Sequence, residues 1–420
     1  MNDVTNENPR SRLARAGRFA LPSGATRDAG IILSARTLRG FGDGFVSVLL
    51  PVRLADLGFS GSAVGAIASA TLFGSAFATL ASGIYAGRIG IQKTLMACSM
   101  LMVATGIGFA TATDFWLLLM IAFVGTLNPT AGDVSVFLPV EQAALPSTAP
   151  AQSRTSLFGR YRMLGSLAAA FGALCAGLPS LLERHTVFSE TALVAAMFVV
   201  YAGLGLIVLF RYRHLSDIHS KPSTSAPLGP SKRIVYRLTA LFAVDSFASG
   251  LAVQSLVALW LNQRFGFSVA ATGLIFFWLG LLTAVSQLLS APLAKRFGLV
   301  NVMVFSHLPA NLFLMLTPFM PTAALALMTL TIRALMQAMD APARSSYVMA
   351  VVTEPERPAA SAITNTPRSF ATAFGPAISG WMLSMSTFGL PLLIAGALKV
   401  FYDLALWRGF RALKPPEEES

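Results

Sequence analysis

The 420-residue chain is 55% hydrophobic and only 12% charged, with a mean hydropathy of +0.65, whereas a soluble domain carries about 25% charged residues. One water-soluble core cannot hide that much apolar surface, so composition points to a polytopic membrane protein. The formal charge of +12 does not indicate a nucleic-acid partner, because Lys and Arg are scattered at the ends of apolar runs, as the positive-inside pattern requires.

The first 30 residues hold Arg10, Arg12, Arg15, Arg18 and Arg27 and no long apolar segment. No cleaved signal peptide is expected, and residues 1–29 read as a cytoplasmic, mostly disordered tail. A helix needs about 20 apolar residues to cross a hydrocarbon layer of about 30 Å. Such runs fall at 30–55, 62–86, 91–112, 115–138, 157–180, 190–211, 236–262, 269–294, 299–319, 321–350, 358–383 and 387–408. These twelve spans return both termini to one face. Turns such as "TATD" (111–114) and "PFMP" (318–321) make successive spans antiparallel neighbours. With the N-terminus inside, the outer loops hold only Arg53, Arg184 and Arg264, so both termini are expected in the cytoplasm.

Between the sixth and seventh spans, "HLSDIHSKPSTSAPLGPSK" (214–232) reads as a flexible cytoplasmic linker. The expected organisation is a tail (1–29), a six-helix bundle (30–213), a linker (214–235), a second six-helix bundle (236–409) and a short tail (410–420). Cys98 and Cys175 both lie in apolar runs, which suits packing and offers no disulfide framework or metal spacing.

The halves are copies of one another. A shift of 208 residues aligns Gly58-Phe59-Ser60 with Gly266-Phe267-Ser268, Arg88 with Arg296 and Gly90 with Gly298, among twelve identities in the 33 positions from 58 to 90. Apolar bias alone does not align the Arg and the glycines. A parallel six-plus-six repeat with an internal linker is the architecture of the major facilitator superfamily, and several motifs resemble that superfamily too. "GIYAGRIGIQK" (83–93) is similar to its loop between the second and third helices through Gly83, Arg88, Gly90 and Lys93, while Gly87 stands where an Asp is usual. The repeat of that loop, "APLAKRFGLV" (291–300), has Lys295 there. In the family this Asp and Arg latch the halves together, so the resemblance makes Arg88, Gly90, Arg296 and Gly298 candidate gating residues with an altered latch. "LTIRALMQAMDAP" (330–342) resembles the family's tenth-helix pattern through Arg333 and Gln337. "AFGPAISG" (373–380) resembles the Gly-Pro motif of drug:proton antiporters, although the family carries it in the fifth helix. The resemblance implies an all-α membrane protein with twelve transmembrane helices in two pseudo-symmetric bundles around a central cavity.

An ionised group at the bilayer centre costs at least about 2.5–3.5 kcal/mol, so charges in the spans call for a polar path or internal pairing. Asp43 in "GFGDGF" lies seven residues past Arg36, about 10 Å along the axis. Its glycines allow a backbone or a substrate to approach closely. Asp245, Asp133 and Asp340 place further acids in the seventh, fourth and tenth spans; the superfamily lines its cavity with these helices and the first. Two readings compete for them: salt-bridge or cap partners of Arg36, Arg39, Arg160, Arg162, Arg344 or Arg368, and groups that take up protons. Asp43, Asp245 and Asp133 are the proton-coupling candidates. Asp340, before Ala341-Pro342, looks like the cap of a restarted helix, and with Arg344 it is a gating candidate. Arg333 falls near mid-membrane and must meet a carboxylate, carbonyls, water or an anionic substrate; Gln337 is one turn on, and Gln254 is another polar group on a cavity-lining helix. These three are the substrate-binding candidates. Lys399 and Asp403 are spaced to pair within the twelfth helix, and His307, before Pro309, suits a hydrogen bond at a kink more than a proton relay.

No nucleotide-binding glycine loop, metal spacing or histidine cluster is legible, so neither an enzyme nor a metal or organic cofactor is expected. The expected function is secondary active transport by alternating access, as proton-coupled export of an amphipathic or drug-like solute. Proton-coupled uptake of a small organic anion is the alternative, and a non-transporting membrane sensor a remote one. The expected partners are a small molecule, protons and the lipid of a bacterial inner (plasma) membrane, with the chain a monomer.

Overall fold

A computed structural model describes residues 21–130, 135–150, 153–216, 228–353 and 356–411. The described residues form helices throughout. In chain order they are α1 (Arg27–Asp56), α2 (Gly61–Ile89), α3 (Ile91–Thr111), α4 (Phe115–Val124), α5 (Phe137–Ala144), α6 (Arg154–Cys175), α7 (Leu178–Glu183) and α8 (Glu190–Arg213) in the N-terminal half. The C-terminal half has α9 (Lys232–Leu251), α10 (Gln254–Phe265), α11 (Val269–Phe297), α12 (Leu299–Leu316), α13 (Ala323–Gln337), α14 (Asp340–Ala350), α15 (Arg357–Met385) and α16 (Leu390–Phe410). They make twelve spans, because α4–α5, α6–α7, α9–α10 and α13–α14 are each one span in two pieces.

The restart expected at Asp340 in span 321–350 is present, while spans 157–180 and 236–262, expected to be continuous, are interrupted. The fourth span leaves the helix at Gly125 and resumes at Phe137. Side chains take up the freed backbone groups, as lipid depth demands: Thr126 N donates to Thr105 Oγ1 (3.3 Å) and Thr130 N to Asn128 Oδ1 (2.9 Å). In the tenth span, Ser290 Oγ of α11 donates to Met339 O at 2.7 Å. The breaks of the fourth and seventh spans meet, with Ser255 N donating to Pro129 O at 3.2 Å.

The repeat is visible in backbone geometry. Gly90 joins α2 to α3 with φ 92°, and its counterpart Gly298 joins α11 to α12 with φ 84°. With ψ of 146° and 155° both occupy a region essentially reserved for glycine, so a single residue reverses the chain between two long helices. The latch-loop glycines are therefore turn residues in both halves.

Within the N-terminal bundle α1 packs on α6 and α8, and α3 on α8; within the C-terminal bundle α9 packs on α15 and α16, and α12 on α16. The bundles touch where α2 meets α15, α6 meets α11 and α1 meets α10. Without a hydrophobic force inside lipid, such seams depend on close van der Waals packing of small residues. A Cβ on Gly65 would collide with the Pro376 carbonyl, and one on Gly380 with the Gly61 carbonyl. Ser69 Oγ accepts from Ala377 N at 2.8 Å, and Phe73 meets Phe374 edge-on at 4.8 Å between ring centroids. "AFGPAISG" is thus part of the seam between the bundles.

The seam lies toward the face opposite the linker. One apolar cluster runs from the N-terminal bundle through Leu251, Leu256, Phe276, Leu314 and Leu383 of the other. A separate cluster, including Val235, Phe242, Met303, Tyr347 and Leu406, fills the C-terminal bundle at the linker face. Residues 21–26, expected as disordered tail, instead dock on the loop after the fourth span, with Thr26 N donating to Thr148 O at 2.9 Å.

Candidate functional site

Asp43 sits on α1 and is 4% exposed. The glycines around it admit another backbone: Gly44 lies against the Ala169 carbonyl of α6, and Gly42 against Tyr201 of α8. This packing turns the Asp43 carboxylate toward the broken part of the fourth span, where the Asn128 side chain is its hydrogen-bond partner, with Arg36 and Arg39 lower on α1 as the nearest cations. No ion pair within 4 Å involves Asp43 among the described residues.

Arg39 is committed elsewhere. It forms an ion pair with Glu141 of α5, a side chain with no solvent exposure. Tyr161 Oη of α6 and Tyr212 Oη of α8 donate to the same carboxylate, each at 2.5 Å, and the guanidinium stacks 4.0 Å above the Phe137 ring. Four spans converge on one acid that sequence reasoning missed. Glu141 lies three residues beyond the expected end of the fourth span, so it read as a loop residue; the one available signal was an acid so close to an apolar run.

The C-terminal bundle is wired differently. Asp245 of α9 accepts from Lys399 Nζ of α16 at 2.6 Å and from Arg344 Nη1 of α14 at 3.0 Å. Lys399 also donates to Ser249 Oγ (2.7 Å), and Arg344 reaches Asp340 at 3.3 Å. Asp403 is held by His307 Nδ1 and Asn311 Nδ2 of α12, both at 2.9 Å, and His307 Nε2 lies 3.9 Å from Asp245. The expected Lys399–Asp403 pair within one helix is therefore incorrect, because α16 packs between α9 and α12 and each side chain finds a closer partner across the interface. His307 is likewise bonded to a carboxylate rather than serving the Pro309 kink. Asp340 is the first residue of α14, not its cap; its carboxylate turns to Arg344 and favours the positive helix N-terminus.

The substrate-binding candidates separate. Gln254 Nε2 donates to Ser47 Oγ of α1 at 2.9 Å, a polar bond across the bundle seam. Arg333 is partly buried on α13, and its Nε is enclosed with no hydrogen-bond partner. Gln337 ends α13 one turn further on, at the break. Arg296 is exposed at the linker face, 5.3 Å above the Phe297 ring. Asp133 and the side chain of Arg88 lie outside the described residues.

Two helical bundles with a one-sided seam, broken spans and buried charges define a membrane carrier rather than an enzyme. The Major Facilitator Superfamily model matches residues 32–253 and 238–420, and the chain belongs to that superfamily. An uncharacterized membrane protein of Saccharomyces cerevisiae is 22% identical over 91% of this chain and 94% of its own length. The uncharacterized MFS-type transporter YcaD of Escherichia coli is 25% identical over 66% of this chain and 69% of its own. Among solved structures, the nucleoside transporter NupG superposes with a TM-score of 0.70 at 16% identity, covering 92% of this chain and 100% of that one. The inward open xylose transporter XylE from E. coli gives 0.70 at 14% identity, covering 90% and 96%. At such identities the structural matches establish the fold.

Proposed function

We propose that this carrier couples transport to protons through Asp43 and exports an amphipathic solute toward the face opposite the linker. The observation that carries the reading is the contrast among the described in-span acids: Asp245, Asp340, Asp403 and Glu141 are each bonded to a cation or histidine, while Asp43 has the Asn128 amide as its partner and no ion pair within 4 Å among the described residues. A buried carboxylate with no cation in direct contact is the one most readily neutralised by a proton, and its exposure to either face then changes its protonation. The confinement of the second apolar cluster to the C-terminal bundle at the linker face supports an opening on that side, and the positive-inside distribution supports assigning that side to the cytoplasm. Export is supported by the resemblance of "AFGPAISG" to the antiporter motif and by its place in the α2–α15 seam, which must part for the opposite face to open.

Membrane vesicles with an imposed pH gradient test the proposal. Asp43→Asn should abolish pH-driven efflux of an amphipathic dye while folded protein persists in the membrane. Unchanged coupled efflux moves proton coupling to another acid, and dye accumulating together with protons favours uptake.

A further inference from the structure

Arg333 has a charge that the described residues of its bundle leave unanswered. Arg333, Arg344 and Arg368 lie well inside spans of the C-terminal bundle. Arg344 has Asp245 and Asp340, and Arg368 donates to Ser246 Oγ (3.1 Å) and Asn365 Oδ1 (3.2 Å). Arg333 Nε is enclosed with no hydrogen-bond partner, and no ion pair among the described residues involves Arg333. No described carboxylate of that bundle remains for it: Asp245 and Asp340 are paired, Asp403 is held by His307 and Asn311, and Glu356 bonds Thr353 and the linker. A lipid phosphate does not supply the charge either. Arg333 is ten residues into α13, about 15 Å along the axis and so near the middle of a hydrocarbon layer of about 30 Å. An arginine cannot shed its proton to escape this cost.

The surroundings suit a ligand. Gln337 lies on the same face one turn later, where α13 gives way to α14 through a two-residue turn at Ala338 and Met339. Discontinuous spans are where transporter folds place substrate sites.

We infer that Arg333, with Gln337 beside it, is the docking point for an organic oxyanion, so that the transported solute carries a carboxylate or phosphate. The planar guanidinium fork matches either group through two parallel hydrogen bonds. The unliganded protein keeps the uncompensated cation, which is a cost in stability that binding relieves. The inference rests on the carrier reading but not on its proton coupling. A wild-type protein that binds neither anion overturns the inference without bearing on proton coupling at Asp43, and normal coupled flux in Asp43→Asn removes the proton reading without bearing on the anion site.

The test is thermal unfolding of the purified full chain with benzoate, phenyl phosphate, neutral benzamide and cationic benzylamine. Benzoate or phenyl phosphate should raise the Tm, with their relative effect separating carboxylate from phosphate, and benzamide and benzylamine should not. In Arg333→Gln the ligand-free Tm should rise, because an unpaired buried charge has gone, and the apparent affinity for the effective anion should fall about tenfold or more, the value of a charge-assisted hydrogen bond. Arg333→Lys should retain a weaker response. A destabilised or unfolded Arg333→Gln, an anion response that survives that change, or a wild-type protein indifferent to both anions would each overturn the inference.

Discussion

The two bundles bury ionisable groups in opposite ways. In the N-terminal bundle one acid, Glu141, is enclosed by one cation and two neutral tyrosine hydroxyls, so its lone pairs are answered within a closed cage at the meeting of four spans. In the C-terminal bundle Asp245 is shared by Lys399 and Arg344, Arg344 is shared with Asp340, and His307 bridges toward Asp403. The first arrangement stands or falls as a unit, whereas the second redistributes. The difference teaches that the repeat preserves turns more strictly than charges: Gly90 and Gly298 keep matching positive φ, but among the described residues the second half does not reproduce the Glu141 cage. Asp43 in the first bundle and Arg333 in the second lie outside these networks.

The largest effect should come from opening the cage. Glu141→Gln removes the counter-charge of a buried Arg39 and should destabilise the protein by about 3–5 kcal/mol, read as loss of monodisperse protein and a lowered Tm in detergent. A mild effect would mean that the tyrosines, not the ion pair, hold the four spans. Asp245→Asn should cost less, about 1.5–3 kcal/mol, because Arg344 keeps Asp340 and Lys399 keeps Ser249. Combining it with Lys399→Met should be less damaging than the two losses added together; strict additivity in unfolding measurements would show that the network does not redistribute.

The smallest effect sharpens the comparison at the linker. Glu356, outside the spans, accepts from Ser231, from Thr353 Oγ1 at 2.6 Å and from Gly229 N, and these hydrogen bonds, Ser231 first, hold its carboxyl down to about 2. Because that lies below the ordinary glutamate value of about 4.3, the contact contributes above that pH and is lost as pH falls toward 2. Limited proteolysis of the linker with an acid-active protease should therefore accelerate across that window in the wild type. In Glu356→Gln it should be fast throughout.

Much of the architecture was legible beforehand, for reasons that particular residues make plain. The twelve spans follow from apolar length, and the turns at Gly90 and Gly298 from the repeat. Eight described stretches are long and apolar enough to cross a membrane by length and composition; the first, fourth, tenth and eleventh spans are not among them. The fourth and tenth are apolar but broken short, at the Asn128 break and beyond Arg333, while the first and eleventh are long but less apolar and carry Asp43 and Arg368. Partners were not legible. Lys399 and Asp403 have ideal spacing to pair on one helix, yet the approach of α9 and α12 gives each a better contact.

What the amino-acid order determined by itself was the count of spans, their division into two copies and the presence of charges that lipid does not tolerate alone, because burying a polar group at membrane depth carries a cost whatever surrounds it. Only the tertiary structure decided which charges were satisfied. A Coulombic bond depends on a few ångströms between side chains from different helices, and helix packing, not residue order, sets those distances. Asp43 and Arg333 stand apart because the packing that paired their neighbours gives neither an ion pair among the described residues.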